Sequence, residues 1–149
     1  MTEPCDLSAL EARNLIGRGD LSSVELLESC ITRIETVNPT TNAIVSTDFE
    51  RARVEATAAE AAVRNGDDLR PLHGLPVGIK DLNATAGLRT TYGSLLHADN
   101  VPEKDEALVA RLRDAGAIIV AKTNTPEFGS GSNTTNKGFG PTRNPYDLS

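Results

Sequence analysis

Leu72-His-Gly-Leu-Pro-Val-Gly-Ile-Lys-Asp81 and Gly116-Ala-Ile-Ile-Val-Ala-Lys-Thr123 decide how this chain folds. Each is a short apolar run that ends in a lysine, Lys80 in the first and Lys122 in the second. Ala117 to Ala121 is apolar without a break, the pattern of a strand covered on both faces. Between the two runs lies a stretch of helical period. Asp105 or Lys104 opens it, Leu108, Leu112 and Ala115 mark its inner face, and Gly116 closes it. The sum is strand, crossover helix, strand, with Val77 to Lys80 and Ala117 to Ala121 parallel or near neighbours in one sheet. Both lysines then stand at strand ends, at the rim of the sheet and half desolvated. There an ammonium can lose its proton near neutral pH and act as a base.

Upstream the pattern is helical. Ser8-Ala-Leu-Glu11 has the form of a capping box, in which each side chain satisfies the other residue's free N–H. Leu10, Leu15 and Ile16 follow on one face, and Gly17 to Gly19 stop the helix. Ser22-Ser-Val-Glu25 repeats the signal; Val24, Leu27, Ile31 and Ile34 follow at helical spacing, and Asn38-Pro39 ends the run. Ala43 to Ser46 reads as a short strand. Asp48 to Arg64 reads as a third helix, exposed on most of its girth, with Asn65-Gly66 as its stop. The texture changes at Pro71, so the chain divides into a helical lead-in, 1–70, and a glycine-rich segment, 71–149. From Thr123 onward there is little apolar periodicity, which marks a binding loop or a segment that needs more protein to pack against. Asp147-Leu148-Ser149 has no helix or charge run to finish on, and truncation is expected.

Composition narrows the class. The 149 residues are 38% hydrophobic but include no Trp, two Tyr and three Phe, so the core is built from Leu, Ile, Val and Ala. A net charge of −6 argues against a nucleic-acid partner, which needs clustered Lys and Arg. No stretch is apolar enough to span a membrane, and Met-Thr-Glu-Pro-Cys-Asp6 has no secretory pattern. Cys5 and Cys30 read as reduced thiols of a cytoplasmic protein.

Several motifs fail. Gly116-Ala-Ile-Ile-Val-Ala-Lys-Thr123 nearly spells a P-loop, but the second glycine is Ala121 and the spacer is an apolar strand. Gly129-Ser-Gly131 lacks the third glycine of a dinucleotide site. No serine sits in Gly-x-Ser-x-Gly. His73 and His97 have no metal-like spacing. No cofactor or metal is implied. Of the two lysines, Gly78 favours Lys80 slightly, because a glycine lets a ligand or another backbone approach the strand. Asp81 does not guarantee a salt bridge to it, since strand neighbours point to opposite faces.

Four segments together resemble the amidase signature family of serine hydrolases: Leu72 to Asp81; Thr90-Thr-Tyr-Gly-Ser94; Gly116 to Asn124 with Pro126-Glu-Phe-Gly129; and Gly138 to Ser149. The resemblance implies an α/β fold with a mixed, largely parallel sheet between helix layers, here incomplete, to which residues 1–70 form the lead-in. It implies a triad of two serines, one in a cis peptide, and a lysine. Lys80 matches the lysine of the Gly-Ile-Lys-Asp motif, and Lys122 matches a position outside the triad. Phe128, Gly129 and Ser130 match the loop that lines the acyl site, although loop hydrogen bonding accounts equally for Ser130 and Ser132. The stretch that carries the cis-serine starts just after the Asn144-to-Ser149 motif, and the nucleophile lies beyond that. Ser149 only leads into it.

The resemblance thus implies an amidase acting on a small-molecule amide, with this chain inactive alone. The A subunit of an aminoacyl-tRNA amidotransferase shares the motifs, but Thr125-Pro-Glu-Phe-Gly129 reads more like the free amidases. A short non-catalytic binding protein is the alternative of a different class. A truncated chain would leave the Ala117-to-Ala121 strand without neighbours and prone to aggregate. The substrate and the oligomeric state are left open, a homodimer among the options.

Overall fold

The computed structural model describes residues 3–148. Ser149 lies outside the described residues, as do the first two residues of the N-terminal stretch. Among the described residues two helices lead in and strands then alternate with two more: α1 (Ala9–Arg18), α2 (Ser23–Thr41), β1 (Ile44–Thr47), α3 (Phe49–Asn65), β2 (Pro76–Lys80), α4 (Ala107–Asp114) and β3 (Ile118–Thr123).

The strands form one mixed sheet in the order β1-β3-β2. β1 is antiparallel to β3, with Ser46 opposite Lys122 and Thr47 opposite Ala121. β2 runs parallel to β3. The Ile118 N–H donates to Leu75 O at one end (2.9 Å), and the Asp81 N–H donates to Thr123 O at the other (2.8 Å). The strand, helix, strand unit is therefore present. β3 does not lack neighbours, contrary to the expectation for a truncated chain: β1 and β2 flank it, and they are the edges among the described residues.

Local signals set most element ends. Ser8 and Glu11 form the capping box of α1, and Gly19 closes that helix at φ 75°. Ser22 Oγ accepts from the Val24 N–H, and Glu25 returns the bond to the Ser22 N–H. Asp48 caps α3, and Gly66 ends it. Four expectations need correction. α2 runs through Pro39 to Thr41 and ends where Asn42 turns left-handed. The inner face of α1 is Ala12 and Ile16, while Leu10 is 71% exposed. The inner face of α4 centres on Val109, while Leu108 is 52% exposed. β3 continues two residues past Ala121, so Lys122 lies inside the strand, buried, and not at its rim.

The chain clusters into two compact units. The first comprises the chain up to Arg33, Asp48–Val77 and Arg111–Val120. Its core is Ala12, Ile16, Leu26 and Leu75, with Leu7, Leu21, Cys30, Val63 and Leu72 packed on it. Its two cysteines, Cys5 and Cys30, are free thiols, and burial raises the Cys30 thiol above its ordinary pKa. The second comprises Ile34–Thr47, Gly78–Ala110 and the chain from Ala121 onward. Both lysines fall in it, and so does every residue of the candidate site. No helix among the described residues is long and apolar enough to cross a membrane.

Candidate active site

Lys80 is the last residue of β2, as expected, but it is exposed and not half desolvated, a correction that follows from β2 being an edge of the sheet among the described residues. Strand alternation sends the next side chain the other way, and Asp81 is buried. Its carboxylate accepts from the Thr91 N–H at 3.1 Å and from the Thr91 hydroxyl at 2.5 Å. It makes no ion pair with Lys80. The backbone then turns, and the Asn83 N–H donates to Lys80 O (3.0 Å).

Lys122 meets a different environment. It is 0% exposed. Its ammonium donates to Asn83 O, to Thr85 Oγ1 at 2.9 Å and to Thr90 Oγ1 at 3.1 Å. Burial lowers its pKa to about 8, against the opposing pull of the Asp81, Glu106 and Asp105 carboxylates. The last two also hold the loop that Lys122 grips. Glu106 accepts from the Asn83 side-chain amide and the Ala84 N–H, and Asp105 accepts from the Ala86 N–H (2.7 Å). These oxygens and carboxylates all lie far upstream of Lys122 along the chain, so no local pattern announces them.

Phe128, Gly129 and Ser130 lie on and just past one 3-10 turn, Glu127–Gly129. Phe128 is left-handed (φ 50°, ψ 27°), a conformation that costs a non-glycine residue free energy, and its ring is half exposed. Its N–H donates to the carbonyl of Tyr92, which is left-handed too (φ 55°). The His97 ring meets both aromatics edge-on, at 5.2 Å from Tyr92 and 6.1 Å from Phe128. Ser94 Oγ donates to Glu127 Oε1 (2.6 Å). Gly93 is required here: a Cβ on it would lie 2.8 Å from Thr125 O and 2.9 Å from Pro126 O. A Cβ on Gly129 would lie 2.8 Å from Leu82 Cδ2, so this loop touches the chain two residues past Lys80. Ser130 and Ser132 are exposed, and the Ser130 N–H donates to Glu127 O (3.0 Å).

The contribution of Asn136 is invisible in the sequence. Its amide donates to Asn124 Oδ1 (2.8 Å) and Thr125 O (2.9 Å), and its carbonyl accepts from the Gly138 and Phe139 N–H groups. One polar side chain thus fastens the aperiodic tail to the end of β3. Among the described residues no group of three His, Cys, Asp or Glu could hold a metal ion.

A family model described as Amidase matches residues 25–149. The A subunit of the glutamyl-tRNA(Gln) amidotransferase of Roseiflexus castenholzii is 44% identical over 148 residues, 99% of this chain and 30% of that protein. An acylamidase of Rhodococcus erythropolis is 43% identical over 142 residues, 95% of this chain and 30% of that protein. The solved structure of a bacterial aryl acylamidase of the amidase signature enzymes family is similar with a TM-score of 0.90 at 32% identity, over 95% of this chain and 30% of that one. The chain spans about 30% of the length of these curated relatives.

Proposed function

The chain belongs to the amidase signature family, and from that membership we propose that it supplies the base lysine, Lys80, of an enzyme hydrolysing a small carboxamide. A serine hydroxyl is a weak nucleophile until a base takes its proton. In the reaction the resemblance implies, the unprotonated amine of Lys80 takes a proton from the cis-serine, which takes one from the nucleophile. The nucleophile's oxygen bonds to the amide carbon. The proton returns to the amide nitrogen, the C–N bond breaks, and amine or ammonia leaves. Water then splits the acyl-serine to the acid. Phe128, Gly129 and Ser130 line the acyl side in this reading.

One observation carries the choice of lysine. All three N–H groups of Lys122 have oxygen partners in the interior, whereas Lys80 stands exposed where β2 ends. Neither serine of the triad is matched within the 149 residues, so the chain alone is expected to be inert toward amides. The test is turnover of simple carboxamides by a polypeptide that joins this chain to the two serines of the triad. Lys80→Met is expected to lower kcat/KM by about a thousandfold. Unchanged turnover with methionine there contradicts the assignment.

The 44% identity to the Roseiflexus protein supports a second reading, the A subunit of an amidotransferase that moves ammonia from glutamine to a charged tRNA. Thr125-Pro-Glu-Phe128 favours the hydrolase, since that subunit tends to have Met-Asp-Glu-Phe there. Co-purification with a tRNA-binding partner subunit reverses the choice.

A further inference from the structure

Lys122 has no part in the chemistry proposed above, yet its burial is expensive. An ammonium taken out of water loses its hydration before its new partners are counted, and an apolar side chain of similar volume often does as well or better. What the charge provides is a grip on one segment. The acceptors Asn83 O, Thr85 Oγ1 and Thr90 Oγ1 all belong to the loop that follows Lys80. Two of them are themselves tied down. Thr85 Oγ1 donates to Asn83 O (3.1 Å) and Thr90 Oγ1 to Leu88 O (3.0 Å). Asn83, held by the ammonium at its carbonyl, donates its own N–H to Lys80 O. A single residue therefore links the buried lysine to the exposed one. Three carboxylates complete the clamp: Asp81 on Thr91, Glu106 on Asn83 and Ala84, and Asp105 on Ala86.

We propose that Lys122 is a positioning residue, whose ammonium fixes the turn after β2 so that the Lys80 side chain keeps one direction. The inference rests on the reading of Lys80 as the base. A base displaced by an ångström loses rate at the chemical step and leaves substrate affinity alone. In the longer polypeptide, Lys122→Met is expected to lower kcat about thirtyfold or more with KM unchanged. Thr90→Val keeps the side-chain shape, removes one acceptor and lowers kcat about threefold to tenfold. It serves where the methionine variant does not fold. Ile16→Ala, a change in the core of the first unit, is the control for destabilisation and leaves kcat unchanged below its melting temperature. Unchanged kcat in the lysine and threonine variants overturns the inference, as does a rise in KM matching the loss of kcat/KM. If Lys80→Met is itself fully active, the reading of the base has failed instead.

Discussion

At Lys122 the ammonium has three N–H groups and three protein oxygens to receive them. Its pKa falls from 10.5 in the open chain to about 8 in the folded one. Between those values the unfolded state binds more protons, so stability rises with pH across that window. Below about 8 both states are charged, and the cost of burial is present in full. Urea unfolding followed from below 8 to above 10.5 is expected to show a gain of the order of 3 kcal/mol that Lys122→Met lacks. Equal pH dependence in the two proteins contradicts the burial. Asp81 gives a companion prediction. Its carboxylate holds the Thr91 N–H and hydroxyl in the interior, so Asp81→Ala is expected to cost about 2 to 3 kcal/mol by the same measurement.

The ends of the elements follow from short-range chemistry. Ser8→Ala removes the acceptor for the Glu11 N–H and is expected to cost about 1 kcal/mol, read as a fall in Tm. Such features were legible because cause and effect lie close together in sequence: the boxes at Ser8 and Ser22, the Asp48 cap, the Gly66 stop. The strand-helix-strand unit was legible because β3 is uniformly apolar up to Lys122. Pro39 misled because a proline in the last turn forfeits little, and Asn42 N–H and Thr41 Oγ1 still bond back to Asn38 O and Val37 O. Leu108 and Val109 are adjacent apolar residues about 100° apart around α4, and pattern alone does not say which one faces inward. At Lys122 an apolar run followed by a charge suggested a strand end. The partners that let the strand continue, Thr85 and Thr90, are 37 and 32 residues upstream. Separation along the chain likewise hid the Asn136 and Asp81 clamps. The role of Lys80 came from resemblance, and the structure supplies the contrast with Lys122.

Over the whole molecule, polar surface and a net charge of −6 favour dispersal, but Leu95, Leu96 and Val101 lie exposed close together in the sequence. Leu96 is 84% exposed. The apparent mass from static light scattering is expected to rise with concentration, and to rise less in a Leu95→Ser, Leu96→Ser double variant. Equal scattering in both would place the association elsewhere. The central claim concerns Lys80, and fluorophosphonate labelling reads it most directly, because the probe reacts with a serine in proportion to its activation. In a polypeptide that joins this chain to the two serines of the triad, one serine is expected to label stoichiometrically, and about a hundredfold or more slowly once Lys80 is methionine. Labelling at the same rate with and without the Lys80 amine would contradict the account.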